Sequence, residues 1–289
     1  MSPESGATTQ ASLARGAELI SQADGIMVAA GAGMGVDSGL PDFRGTSGLW
    51  NHYPALGRAR MEFRHIAASR TFAERPQLAW GFYGHRLGLY RKTQPHAGFA
   101  TLKRWVDQSP LPGAVFTSNV DGHFQRAGFA EDVVEECHGT INWLQCSVPC
   151  STALWPADDL EPQVDEEQCL WLGDLPRCPR CGALARPNIL MFDDVEWIES
   201  RQRQQADATE RWLSSARRPL VVEIGAGLGI PTVRYFSQRV IKRYGGRLIR
   251  INPREAEVAF SQDVSLPLPA AIAIGELDRA LTGLTFPKA

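Results

Sequence analysis

Gly25-Ile26-Met27-Val28-Ala29-Ala30-Gly31-Ala32-Gly33-Met34-Gly35 decides how this chain is read. The first six residues are small or apolar and carry no charge, which is the pattern of a short strand buried on both faces. Glycines at alternate positions follow at once, and they supply a tight turn into a helix. Strand, glycine turn and helix start together open a nucleotide-binding βα unit. Upstream, Leu13, Ala17, Leu19 and Ile20 form a helical stripe over Gln10–Ala23. Downstream, the runs Ala114–Thr117, Val133–Cys137, Leu220–Ile224, Leu248–Ile251 and Ala270–Ile274 read as further strands. Gly98–Asp107 and Thr232–Tyr244 read as helices between them. Short apolar strands spaced by helices predict an α/β fold, a mostly parallel sheet with helices on both faces.

The 289 residues suit one elaborated α/β domain or two smaller units. With 30 basic and 32 acidic residues the net charge is −2, which excludes a protein that tracks nucleic acid by a basic excess. No run approaches the roughly 18 apolar residues of a membrane helix, and Met1–Gln10 lacks a signal-peptide pattern. The expectation is a cytoplasmic protein with neither nucleic-acid nor membrane partners. Two stretches interrupt the strand–helix alternation. Asn51–Gln94 holds eight Arg or Lys against Glu62 and Glu74 and reads as a basic helical insertion. Ser151–Asp174 holds seven acidic residues and no Lys or Arg, and reads as a solvated loop.

That acidic loop lies between two cysteine knuckles, Cys146-x3-Cys150 and Cys178-x2-Cys181. Short-spaced thiol pairs on two loops are the usual donors of a tetrahedral zinc site, and four thiolates leave no open position for water. The expected metal is therefore one structural zinc. Cys137 and Cys169 are left as ordinary free cysteines.

After the first glycine turn the chain continues to Gly31-Ala-Gly-Met-Gly-Val-Asp-Ser-Gly-Leu-Pro-Asp-Phe-Arg44. This resembles the cofactor-loop signature of the sirtuins, the NAD-dependent protein deacylases. The resemblance runs on in order through Thr117-Ser118-Asn119-Val120-Asp121, His138-Gly139, the four cysteines, Arg186-Pro187 with Phe192, Gly225-Ala226-Gly227 and Ile251-Asn252, and covers residues 17 to 281. It implies a Rossmann-like NAD-binding domain of residues 1–50, 95–140 and 186–289. A helical insertion (51–94) and a zinc-binding insertion (141–185) would form the smaller module. NAD would be contacted by Gly31, Ala32, Gly33, Asp42, Phe43, Arg44, Ser118, Asn119, Val120, Asp121, Gly225, Ala226, Gly227 and Asn252. Phe43 would cover the nicotinamide on a mobile lid, and Asn119 and Asp121 would take its carboxamide and ribose. His138 matches the general base, whose ordinary pKa near 6.5 suits proton transfer at neutral pH.

The implied reaction consumes NAD and an acyl-lysine protein or peptide. The acyl oxygen attacks the nicotinamide ribose, nicotinamide leaves, and with His138 as base the acyl group ends on ADP-ribose. Tyr83, Arg86 and Phe192 match substrate positions. Tyr83-x-x-Arg86 resembles the pair in sirtuins that prefer succinyl and malonyl groups; the simpler expectation is a packed Tyr83 and a solvated Arg86. His85 and His96 fall near the acyl channel. Four positions depart from the family pattern. Gly35 stands for Ser, Ser118 for Gln, Ala226-Gly227 for Thr-Ser, and Asp193-Asp194 for Gly-Glu. Ser118 and the Asp193-Asp194 pair place other functions beside deacylation: protein ADP-ribosylation or NAD hydrolysis on the same fold, or a non-enzymatic NAD sensor. A sensor needs no base, so His138 speaks against it.

Overall fold

The computed structural model describes residues 3–41 and 46–286. Its central sheet has six strands, all parallel: β1 Gly25–Ala30, β2 Leu111–Thr117, β3 Val134–Glu136, β4 Pro219–Ile224, β5 Arg247–Ile251 and β6 Val264–Leu266. Their order is β6-β5-β4-β1-β2-β3. The order reverses between β1 and β4, and in open α/β sheets ligands bind outside the carboxyl ends of the strands at that point. β1 is buried throughout, and its alternation serves two cores. Ile26, Val28 and Ala30 pack with Leu13, Phe99, Leu102, Ile274 and Leu277, from the helices Pro3–Gln22, Ala97–Gln108 and Ala270–Ala280. Met27 and Ala29 pack with Leu213, Val233, Phe236 and Val240, from Ser200–Ser215 and Thr232–Tyr244.

Ala270–Ile274 is not a strand. It begins the helix Ala270–Ala280, with Pro269 at its N-cap. The buried residues Ala270, Ala273, Ile274 and Leu277 follow helical spacing, and the sixth strand is the short Val264–Leu266 just before it. The strand expected over Val133–Cys137 shortens to Val134–Glu136.

Asn51–Gln94 is helical, with Pro54–Arg58, Phe63–Ile66, Ser69–Glu74 and Pro76–Lys92. The second insertion is built on the antiparallel strands Gly139–Cys146 and Ala185–Ile189. The acidic stretch between the knuckles is more than a solvated loop. Its Val164–Asp165 and Leu170–Trp171 hairpin lies on the helix Pro76–Lys92, with Trp171 5.4 Å from Trp80 between ring centroids. A Cβ at Gly81 would stand 2.1 Å from the Cys169 carbonyl oxygen, so this docking needs glycine there. Arg91 donates to the Ala157 and Leu160 carbonyls. The two insertions thus share one apolar core. Burial pushes the Cys169 thiol up to about 12, which makes it an inert packing group.

Candidate active site

The turns after β1 and β4 meet at the switch point backbone to backbone. Gly31 N–H donates to Ile224 O at 2.9 Å and Gly33 N–H to Gly225 O at 3.0 Å. A Cβ on Gly33 would stand 2.6 Å from Gly225 Cα, and Gly225 itself has φ +62°. These glycines exist so that two loops can touch. Gly227 and Gly229 differ: a Cβ on Gly229 would meet nothing within 4 Å, and one on Gly227 only Glu255 Oε2 at 3.9 Å. Both line a cavity of about 840 Å³, together with Ala32, Gly33, Gly225 and Asn252. Their bareness leaves floor for a ligand, and the volume fits the roughly 300–1,000 Å³ of ordinary ligand sites.

A second cavity of about 270 Å³ adjoins it, and Ala32, Phe63, Phe192 and Ile230 line both. Ser118, Asn119, Val120, Asp121 and His138 stand on its wall with Tyr83 and Arg86. Asn119 Nδ2 donates to Gly31 O at 2.9 Å, and Asp121 Oδ1 accepts the His123 N–H at 2.9 Å, so both side chains are fixed. His138 lies at the entrance to the strand Gly139–Cys146, its Nε2 3.4 Å from Thr232 Oγ1. Gly139 after it has φ +71°, and a Cβ there would meet Asn188 O at 2.1 Å; glycine is required to turn the chain beneath His138.

Gly31 and Ala226 lie outside both cavity walls. Ala226 acts through its carbonyl, which accepts from Asn252 Nδ2 at 3.0 Å and from Arg234 Nε and Nη2 at 3.1 and 2.8 Å. Behind Arg234 stand Glu223 and Arg250, paired across β4 and β5. Reading the sequence missed this buried charge cluster. A charge inside each of two apolar strands, Glu223 and Arg250, was the available signal.

Arg86 is 8% exposed, so the solvated-face expectation does not hold. Its carbon lies 5.2, 5.6 and 5.3 Å from the ring centres of Phe82, Tyr83 and Tyr90. Tyr83 also stacks on Phe72, and burial pushes its phenol up to about 12, keeping it a hydrogen-bond donor at neutral pH. Asp121 is the one carboxylate among the described residues on this cavity wall. His85 bonds the Tyr53 hydroxyl at 2.7 Å, and His96 caps the helix Ala97–Gln108; neither lines the cavity. Asp42, Phe43 and Arg44 lie outside the described residues.

The Phe192 segment is held from both sides. Its N–H donates to Ala67 O, and its carbonyl accepts from Ser69 N–H. Asp193 takes φ +54°, a left-handed position that Asp tolerates. Asp194 is buried against Arg186 in a two-point pair of 2.9 and 2.8 Å, at 0% and 1% side-chain exposure.

The four knuckle sulfurs lie within 4.8 Å of one another, with Cys146–Cys181 at 3.6 Å and Cys150–Cys178 at 3.7 Å. Thiolates about 2.3 Å from one tetrahedral ion stand about 3.8 Å apart, so the set fits zinc. Strand pairing of Cys146 with Ala185 brings the knuckles together.

Comparison with known proteins agrees with this geometry. Residues 31–211 match the model of the Sir2 family. The chain is 33% identical over 238 residues to the NAD-dependent protein deacylase of Pyrococcus abyssi (strain GE5 / Orsay), covering 82% of this chain and 84% of that protein. It is 29% identical over 267 residues to the NAD-dependent protein deacylase of Thermococcus kodakarensis (strain ATCC BAA-918 / JCM 12380 / KOD1), covering 92% and 95%. Among solved structures it is similar to a Sir2 homolog–NAD complex, at 25% identity and a TM-score of 0.70 with 92% of each chain covered. It is also similar to a Sir2 homologue–ADP-ribose complex, at 25% identity and a TM-score of 0.69 with 92% and 95% covered.

Proposed function

The chain belongs to the Sir2 family, and from that premise we propose that it is an NAD-dependent protein deacylase acting on acyl-lysine side chains. The observation that carries this is the junction of two cavities at Ala32: a bare glycine floor on one side, and Asn119, Asp121 and His138 on the other. Gly33, Gly225, Gly227 and Asn252 would hold the adenosine diphosphate part of NAD. Asn119 and Asp121 would hold its nicotinamide side. NAD supplies a ribose carbon made electrophilic by the loss of nicotinamide. His138 takes up a hydroxyl proton at a ring nitrogen; Phe63, Phe192 and Ile230 exclude water where the cavities meet. A zinc held by Cys146, Cys150, Cys178 and Cys181 would brace its insertion and take no part in the chemistry, because four thiolates would close its coordination.

Tyr83 and Arg86 extend the reading to the acyl group. A guanidinium and a phenol on the wall of a small apolar cavity suit a carboxyl-bearing acyl chain such as succinyl or malonyl. A charge-assisted hydrogen bond of about 1.5–3 kcal/mol corresponds to a preference of roughly ten- to a hundredfold in kcat/KM. The protein substrate would meet the enzyme in the cytoplasm, a compartment consistent with six cysteines that form no disulfide. Among the described residues no helix is long and apolar enough to cross a membrane.

The test is product analysis by mass spectrometry on acetyl-, succinyl- and malonyl-lysine peptides. Acyl-ADP-ribose and free lysine are expected, with turnover abolished and NAD binding retained in His138→Ala. ADP-ribosylated protein, or free ADP-ribose without acyl transfer, would replace this reading with one of the other NAD reactions. Equal activity on all three peptides, unchanged in Arg86→Met, would remove the acyl preference.

A further inference from the structure

A buried guanidinium is held only where its N–H groups are met by acceptors. Arg86 directs Nε and Nη2 at one atom, the Tyr90 hydroxyl oxygen, at 2.9 and 2.6 Å. Tyr90 is four residues on, so both side chains lie on one face of the helix Pro76–Lys92. Both also line the cavity that holds Asn119, Asp121 and His138. A guanidinium has two forks that can receive a carboxylate: the side fork of Nε and Nη2, and the end fork of Nη1 and Nη2. The Tyr90 oxygen sits in the side fork. A carboxylate that enters from the cavity is thereby directed to the end fork.

Tyr90 is itself anchored. It lies in the last turns of its helix, where carbonyls lack partners within the helix. Arg126 Nη1 donates to the carbonyls of Tyr90 and Thr93. Arg126 closes the short helix His123–Arg126, which Gly122 separates from Asp121. The backbone at Tyr90 is therefore held by the segment that carries Asp121.

We propose that Tyr90 is a specificity-determining positioning residue: its hydroxyl occupies the side fork of Arg86 and aims the end fork at the carboxyl of an acidic acyl-lysine. The inference rests on the reading of Tyr83 and Arg86 as acyl-contacting groups. Tyr90 touches Arg86 and leaves the reacting atoms alone, so its effect belongs in the binding of acidic acyl groups.

Tyr90→Phe keeps the ring and removes only the acceptor. With succinyl-lysine peptide the KM is expected to rise about tenfold with kcat within twofold of wild type. With acetyl-lysine peptide both constants should stay within twofold. Arg86→Met should lose the succinyl preference altogether. Calorimetric Kd values for the succinyl peptide give the same comparison without turnover, on protein whose folding is checked by its thermal transition. If Arg86→Met loses the preference while Tyr90→Phe keeps it, Tyr90 has no positioning role although the acyl reading stands. A Tyr90→Phe loss equal on both peptides, with a lowered Tm, makes Tyr90 a packing residue and overturns the proposal. No effect of either variant on either peptide removes the acyl reading itself, and this inference with it.

Discussion

Asp194→Asn isolates the buried ion pair under the Phe192 segment. The two oxygens of Asp194 accept Arg186 Nη1 and Nη2 at 2.9 and 2.8 Å, and also the N–H groups of Met191 and Glu196 at 3.2 and 3.1 Å. Asparagine keeps one acceptor and nearly the same volume, so cavity formation is not at issue. What changes is that an amide donor faces a guanidinium at 1% exposure, whose charge loses its counterpart. Breaking one partner of such a pair costs about 3–5 kcal/mol, a large part of the 5–15 kcal/mol that holds a typical domain. Urea denaturation with zinc held saturating should show a midpoint lowered by roughly 1–2 M at unchanged slope. Arg186→Met should cost a similar amount. The double variant should cost far less than the sum, because no unmatched charge is left, giving a coupling of about 2–4 kcal/mol. Phe192 stands two residues before Asp194 and lines both cavities, so peptide KM should rise in either single variant. An Asp194→Asn protein within about 1 kcal/mol of wild type, or additive single effects, would refute the argument that this pair fixes the segment.

Three further outcomes follow from the geometry. Gly33→Ala should destabilise by about 1–3 kcal/mol, since its Cβ would lie 2.6 Å from backbone of the facing loop. Gly229→Ala should leave Tm unchanged and raise only the KM for NAD; equal thermal loss in both would sink the division between loop-contact and ligand-floor glycines. One zinc per chain is expected by elemental analysis, and a Cys150→Ser/Cys181→Ser protein should lose several kcal/mol and unfold its insertion first; metal-free native protein with the same stability would exclude a structural ion. His96 Nδ1 accepts the Gly98 N–H at 3.1 Å, which requires neutral imidazole, and burial lowers its pKa below the usual 6.5. A lowered folded pKa means that the unfolded chain binds the proton first. This contribution is complete above about pH 6.5 and is lost as pH falls through the lower folded value. His96→Asn keeps a capping acceptor and should flatten the fall in stability between pH 7 and 5; an identical slope would show that His96 is not the titrating cap.

The sequence made β1, β2, β4 and β5 legible because a short apolar run with at most one charge inside it fits a buried strand and little else. Ala270–Ile274 misled because five small and apolar residues satisfy a strand until the next turn is counted. Only Leu277 makes the period of the buried positions 270, 273, 274 and 277 plain. The acidic stretch misled for a related reason. Its seven carboxylates drew attention from Cys169 and Trp171, which are buried on the basic helix. In the site, Asn119, Asp121 and His138 were named only through the family resemblance, and the structure sets all three on one cavity wall. Tyr90 could not be named, because its contact with Arg86 depends on which way a phenol turns inside a cavity that the helix Pro76–Lys92 shares with the loops of the sheet. Glu223 and Arg250 were readable in principle: strands of matching register that each carry one charge invite a cross-strand pair, and these two are partners in the ladder.

The four departures from the family pattern are resolved by where their side chains would go. Gly35 has a Leu40 methyl carbon 3.0 Å from its missing Cβ, a flexible neighbour, so glycine and serine differ little there. Ala226 needs no hydroxyl, since its loop is held through the carbonyl by Arg234 and Asn252. Asp193 adopts the left-handed backbone that glycine would, and Asp194 still reaches Arg186 with both oxygens. Ser118 and Gly227 change the cavities themselves: Ser118 lies on the wall beside Asn119, where a longer amide would fill space, and Gly227 leaves bare floor in the adjoining cavity. The scaffold differences are thus compensated within the chain, and of the two that face a cavity only Ser118 stands beside Asn119 and Asp121. Ser118→Gln is therefore the substitution from which a change in rate, rather than in stability, is expected. A changed Tm at unchanged kcat would contradict that division.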